Sequence, residues 1–470
     1  MKDFDLAVIG AGSAGLSTAY VAAQLGMRVA LIERGRMGGD CLNVGCVPSK
    51  ALLAAAHAAM AVRGAGRFGV AAAEPTIHWA KVREHVQGAI ATLTPADSVE
   101  RYEGLGATVL RGHARFVGCD TLDVAGRQLT ARRIVVAAGS RAVVPKLPGL
   151  DQVPFLTNET LFDLEERPEH LVILGGGPIG IEMAQAHAAL GCRVTIVQRG
   201  TIAPKDEPEL VAGLRRALLA GGVALHEHAE VRAVETGPAL LLADGQRIAG
   251  SHLLVAVGRT PNTEELGLDA GRVRVTNRGV ATDSGLRSPT NRNVYAAGDI
   301  ADPAGIGPRY FTHVGSYHAS IVVRRALFRL PARLTYAALP RVTYTAPELA
   351  QVGLTEAEAR AAGHRVDVLT WALTENDRAV TEADTSGKVK LVVSAGRVLG
   401  AGILAPHAGE MIGMWTLAIQ ERIKLSTLAG LVMPYPTRAE AGKRAAGTHF
   451  SSRLFSAKPR LLTRLLARLP

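Results

Sequence analysis

Leu6-Ala7-Val8-Ile9-Gly10-Ala11-Gly12-Ser13-Ala14-Gly15 stands near the start of the chain, and Leu171-Val172-Ile173-Leu174-Gly175-Gly176-Gly177-Pro178-Ile179-Gly180 returns to the same pattern. Each begins with a short apolar run, turns at G-x-G-x-x-G and continues into a helix-like segment. A second apolar run closes each copy: Val29-Ala30-Leu31-Ile32-Glu33 and Val194-Thr195-Ile196-Val197-Gln198. In both copies the last residue of that run stands 23 positions after the first glycine. The reading is a strand, a glycine turn, a helix and a second strand, twice over.

The glycines have separate tasks. The first permits the tight turn, the second lets a pyrophosphate approach the backbone, and the third lets helix and strand pack closely. The helix then presents free N–H groups and a partial positive charge to the phosphates. One such motif carries little weight in a chain with 51 glycines. Two copies at matched spacing predict two bound dinucleotides.

Working outward, Ile134–Ser140, Leu253–Gly258 and Val294–Gly298 read as buried strands ending at glycine turns. Pro145–Gly149 reads as a linker. From about Tyr336 strands alternate with longer helices such as Glu410–Glu421. The expected fold class is α/β, with two Rossmann-like dinucleotide-binding domains and a C-terminal α+β domain. The expected boundaries are 1–149 and 150–270 for the two nucleotide domains and 271–335 for a return to the first. Residues 336–446 form the third domain and 447–470 a basic tail.

A chain of 470 residues exceeds what one hydrophobic core organises, and 48% hydrophobic content fits a folded α/β protein. The net charge of +11 raises the question of nucleic acid, but the arginines are scattered and only 4% of residues are aromatic. No nucleic-acid partner is expected. No run reaches the roughly 18–20 apolar residues of a membrane span; the longest, Ala51–Val62, is interrupted by His57. Asp3 and Asp5 stand where a signal peptide carries positive charge. A cytoplasmic location is the expectation, and the four cysteines argue against a disulfide-stapled secreted fold.

The chemistry is concentrated in Arg36-Met37-Gly38-Gly39-Asp40-Cys41-Leu42-Asn43-Val44-Gly45-Cys46-Val47-Pro48-Ser49-Lys50. Two cysteines five positions apart can be bridged at a helix start. Zinc would need two further ligands, and no second Cys pair or H-x₃₋₅-H partner offers them. A structural disulfide is disfavoured in a reducing compartment. Redox catalysis is the favoured reading, and no metal site is expected. Cys119 and Cys192 lack such a context and read as buried apolar fillers.

The glycine loop, the G-G-x-C-x₃-G-C-x-P-S-K stretch, the second G-x-G-x-x-G-x-E and Ala297-Gly298-Asp299 together resemble the flavoprotein disulfide reductases. That family includes dihydrolipoyl dehydrogenase, glutathione reductase and mercuric reductase, and the resemblance runs to about Ala446. It implies FAD at Gly10, Gly12 and Gly15, with Glu33 on the adenosine ribose and Ala114 and Gly139 at the adenosine end. Asp299 is implied at the ribityl chain, and the helix start at Thr312 and His313 at the flavin pyrimidine. Lys50 and Glu182 match the ion pair beside the reactive flavin edge. The nicotinamide nucleotide is implied at Gly175, Gly177, Gly180, Glu182 and Gly258. Gln198 with Arg199, in place of an acidic residue, points to NADPH over NADH. Cys46 is implied as the charge-transfer thiolate and Cys41 as the thiol that meets the substrate.

The sequence departs from the family near its end. Disulfide-reducing members carry H-P-x-x-x-E there, contributed across a homodimer interface. This chain reads Tyr435-Pro436-Thr437-Arg438-Ala439-Glu440. A phenol with pKa near 10 is a poor base at neutral pH, whereas an imidazole near 6.5 is well placed. Mercuric reductase also has Tyr there, but it adds a vicinal cysteine pair, and no cysteine follows Cys192 here. A mercuric-reductase-like paralogue without the mercury-handling parts is expected, acting on a small-molecule oxidant. Dihydrolipoyl dehydrogenase and a redox-responsive flavoprotein with little turnover are the alternatives.

In the tail, Leu461, Leu462, Leu465, Leu466 and Leu469 form one helical stripe beside Arg460, Arg464 and Arg468. Contact with a membrane surface is one expectation. A helix docked on its own dimer, or a frayed end, is the other.

Overall fold

The computed structural model describes residues 1–469. The first copy of the repeat forms the strand Phe4–Ile9, the helix Ser13–Gln24 and the strand Val29–Glu33. The second forms His170–Leu174, Pro178–Ala189 and Arg193–Val197. The strands are continuous apolar runs because both faces of a parallel sheet are covered: Leu6, Ala7, Val8, Leu171, Val172 and Ile173 have no exposed surface.

Around Phe4–Ile9 the sheet runs outward on one side through Val29–Glu33 to Ala107–Arg111. On the other side it continues through Arg127–Val136 to an antiparallel hairpin, Thr121–Val124 and Ala114–Phe116. Val294–Ala296 pairs in parallel with Arg127–Val136, so the chain returns to the first sheet after completing the second. The second sheet is parallel, in the order Val223–His226, Arg193–Val197, His170–Leu174, His252–Val255. The third is a five-stranded antiparallel sheet from Pro340 to Ala405. The helices Ala408–Gln420 and Glu440–Leu454 contribute Ile412, Trp415, Ala441 and Ala445 to its core.

The two loops share their stereochemistry. Gly10 and Gly175 have φ of +105° and +118°, and an added Cβ at either would sit 2.4 Å from a carbonyl oxygen, of Ala137 and Ala256 respectively. Gly15 and Gly180 are close-packing positions, where a Cβ would come within 1.8 and 2.1 Å of the Gly10 and Gly175 carbonyls. Side chains are excluded from both places.

Two expectations are corrected. The helical run Gly39–Phe68 reaches a mean hydropathy of 1.3 over 18 residues, so one segment is long and apolar enough to span a membrane. It is a core helix: Ala51, Leu52, Leu53 and Ala56 pack in one cluster with Ile181, Met183 and Ala184. Cys119 is only half-buried, because it lies in the turn between the hairpin strands Ala114–Phe116 and Thr121–Val124. Cys192 is buried, and burial pushes its thiol up to about 11.

Candidate active site

A single cleft of 2240 Å³ runs from Glu33 past the cysteine pair to Gln198 and Arg199. One small ligand typically occupies roughly 300–1,000 Å³, so the cleft has room for two dinucleotides end to end. The helices beginning at Ser13, Cys46, Pro178 and Thr312 all start at its wall, and none has a side chain capping its first turn. Their first N–H groups are therefore available to phosphates or other anionic groups.

The middle glycines leave space for a cofactor. A Cβ at Gly177 would meet nothing within 4 Å, and at Gly12 only Gly39 Cα at 3.8 Å. Glu33 accepts hydrogen bonds from the N–H groups of Ala11 and Gly35, both at 2.6 Å. Gln198 has the equivalent place in the second copy, its Oε1 accepting from Gly176 N–H at 2.9 Å. Each strand-end side chain thus braces its own glycine loop.

The cysteines are brought together by a close crossing of backbone. A Cβ on Gly45 would lie 2.8 Å from the Asp40 carbonyl oxygen and 3.3 Å from Cys41 Cα. The short helix Gly39–Asn43 holds Cys41, and Cys46 opens the helix Cys46–Gly64. Both carry free thiols. Cys46 faces the cleft with its Sγ 3.1 Å from Thr312 Oγ1. Its pKa falls to about 6, chiefly because Cys41 donates a hydrogen bond to it, with Thr312 and the Lys50 charge assisting against burial. The same bond holds the Cys41 proton in place and, with burial, raises that thiol.

Lys50 Nζ lies 2.8 Å from Glu182 Oε2, joining the N-terminal halves of two helices. Tyr344 secures both partners. Its backbone N–H donates to Glu182 Oε1 at 2.9 Å, and its ring centre lies 4.3 Å from Lys50 Nζ. Asp299 accepts from Ser140 Oγ at 2.5 Å; burial raises its pKa against the pull of Ser140 and Arg259. Arg259 also donates to Ser140 Oγ at 2.7 Å and pairs with Asp40, tying the second strand system to the residue beside Cys41. His113 and His313 line the cleft, but each ring Nε2 is held by a carbonyl, of Glu265 at 3.1 Å and Pro340 at 3.0 Å.

Cys41, Cys46, Lys50, Glu182, Glu33, Ala114, Gly139, Asp299, Thr312, His313, Gln198, Arg199 and Gly258 all line this cleft. So do Gly10, Gly12, Gly175 and Gly177, whereas Gly15 and Gly180 do not. The two third glycines take the close-packing role that the motif assigns them. Tyr435 and Glu440 also lie outside it. Tyr435 is 68% exposed and its hydroxyl donates to Asp377 at 2.7 Å. Asn376 Nδ2 donates to the Thr437 carbonyl at 3.0 Å, and Arg438 pairs with Glu382, so this segment is braced on residues 376–382.

Residues 4–329 match the pyridine nucleotide-disulphide oxidoreductase family, and residues 339–446 match its dimerisation domain. The chain belongs to this family. The mercuric reductase of Streptomyces lividans is 39% identical over 463 residues, covering 95% of this chain and 96% of that one. The Shigella flexneri mercuric reductase is 36% identical, covering 94% and 80%. The HOCl-induced flavoprotein disulfide reductase RclA of Escherichia coli, solved as a Cu(II) complex, superposes with a TM-score of 0.82 at 27% identity, covering 93% and 98%. The protein is an FAD-dependent NAD(P)H disulfide oxidoreductase, and its dimerisation domain supports a homodimer.

Proposed function

We propose that the enzyme uses NADPH to keep Cys41 and Cys46 reduced, and that the dithiol delivers two electrons to a soft metal ion in preference to a disulfide. FAD, when bound, supplies the two-electron relay between nicotinamide and the cysteine pair. The observation that carries the reading is the contrast between the two thiols: Cys46 is lowered to about 6 while Cys41 is raised. Attack on a disulfide needs a Cys41 thiolate and a proton donor for the departing sulfur. No imidazole lining the cleft bonds Cys41, and both are tied to carbonyls. A soft cation removes the need for that base, because coordination itself displaces the thiol proton. The mercuric reductases and the Cu(II)-bound RclA support this substrate class.

The test is steady-state NADPH oxidation with Hg(II), Cu(II), lipoamide and glutathione disulfide as acceptors. One NADPH supplies the electrons for one Hg(II) going to the metal, or for two Cu(II) going to Cu(I). Metal-ion turnover is expected to exceed disulfide turnover by at least about a hundredfold, the low end of general acid–base catalysis. Vigorous lipoamide turnover would overturn the proposal.

The preference for NADPH rests on Gln198 and Arg199. Both line the far end of the cleft, and Gln198 keeps the loop-bracing bond of Glu33 without its charge. Gln198→Glu combined with Arg199→Ala retains an acceptor for Gly176 N–H and adds repulsion to a 2′-phosphate. The ratio of kcat/KM should move toward NADH by about tenfold, chiefly through the NADPH KM, since one charge-assisted bond contributes roughly 1.5 kcal/mol. An unchanged ratio would place the recognition elsewhere.

A further inference from the structure

The reductase chemistry leaves the last helix unused. Glu440–Leu454 packs on the antiparallel sheet through Ala441, Gly442, Ala445 and Ala446, but Ala457–Leu466 has no buried residue. Leu461, Leu462, Leu465, Leu466 and Leu469 are 61, 55, 53, 53 and 66% exposed. At about 100° per residue these five fall within an arc of roughly 140°, with Arg460, Arg464 and Arg468 on a separate arc of about 80°. A leucine stripe of this width is ordinarily covered.

Charge decides what covers it. Beyond Glu440 the sequence has seven lysines and arginines and no acidic residue. Among the described residues no ion pair engages Lys458, Arg460, Arg464 or Arg468. The tail of a second copy would bring the same positive charge. A bilayer-spanning role is excluded by length, because 10 helical residues extend about 15 Å against a hydrocarbon core of about 30 Å.

We propose that Ala457–Leu466 lies in the plane of an anionic phospholipid surface, with its leucines among the acyl chains and its arginines at the phosphates. The reductase is thereby held peripherally on a membrane. This inference does not depend on the identity of the electron acceptor.

The test uses the full-length, FAD-loaded protein in sedimentation with two kinds of vesicle: phosphatidylcholine alone, and phosphatidylcholine with roughly a third phosphatidylglycerol. Binding is expected only to the anionic vesicles and should fall in about 0.5 M NaCl. Arg460→Ala, Arg464→Ala and Arg468→Ala together should weaken partitioning by about a hundredfold, at roughly fivefold per charge. Leu462→Glu with Leu466→Glu should abolish it. Both variants should oxidise NADPH at the parent rate, which establishes that they fold. The proposal fails if the parent stays in the supernatant, binds neutral vesicles equally, or is unaffected by the arginine changes. It also fails if the tail is protected from hydrogen exchange without lipid in a concentration-dependent way, since a second copy would then cover the leucines.

Discussion

Replacing either Cys41 or Cys46 by serine should lower turnover with every acceptor by about a thousandfold or more, because no other thiol reaches the cleft to replace the missing one. The two variants should differ in every other respect. Cys46 is the thiol held low, so Cys46→Ser should lose the long-wavelength absorbance of a thiolate beside bound FAD, and Cys41→Ser should show it without added reductant. Alkylation of the reduced parent by iodoacetamide should rise with pH through a midpoint near 6, as the Cys46 proton is lost. The largest cause of that low value is the hydrogen bond from Cys41. Cys41→Ala removes the donor and should move the midpoint upward, while Cys41→Ser, which keeps a hydroxyl donor, should recover part of the shift. If both serine variants kept parental turnover, the cysteine pair would not be the electron path.

The parts of this molecule written in local pattern were readable before any coordinates. The two βαβ units follow from apolar runs and glycines at one spacing, and the turn and packing roles of Gly10 and Gly15 recur at Gly175 and Gly180. What sequence spacing cannot show is which distant side chains close the site. Arg259 meets Asp40 across 219 residues, and Tyr344 meets Glu182 across 162. One signal for Arg259 is present: it comes four residues after the buried strand His252–Val255, at the carboxyl end where ligand crevices form in parallel sheets. Tyr344 gave no such signal, because it comes from the antiparallel domain and depends on how two domains pack. The membrane-length helix shows the reverse limit. Hydropathy records how apolar Gly39–Phe68 is, and only packing shows that its Ala51, Leu52 and Leu53 face other protein.

Tyr435→His should raise disulfide turnover by about a hundredfold, the low end of what a positioned general acid–base contributes. In the single chain Tyr435 lies outside the cleft, exposed and bonded to Asp377, and that bond raises its pKa further above the neutral range. The parent phenol is therefore a poor acceptor for the Cys41 proton near pH 7. We propose that Tyr435 and Glu440 of one subunit face Cys41 of its partner, which requires the homodimer that the dimerisation domain supports. An imidazole there has Asp377 and Glu440 on its own subunit to orient it, and it supplies the base that the raised Cys41 thiol lacks. Rapid-mixing traces separate the steps: flavin reduction by NADPH should be unchanged in Tyr435→His, while reoxidation by lipoamide or glutathione disulfide accelerates. Metal-ion turnover should gain little, because coordination already displaces the thiol proton. Tyr435→Phe provides the control, since it keeps the ring and removes the hydroxyl that Asp377 holds. If reoxidation by every acceptor were identical in the parent, Tyr435→His and Tyr435→Phe, position 435 would lie away from the partner's cysteines. The preference for metal ions would then need another cause than the missing imidazole.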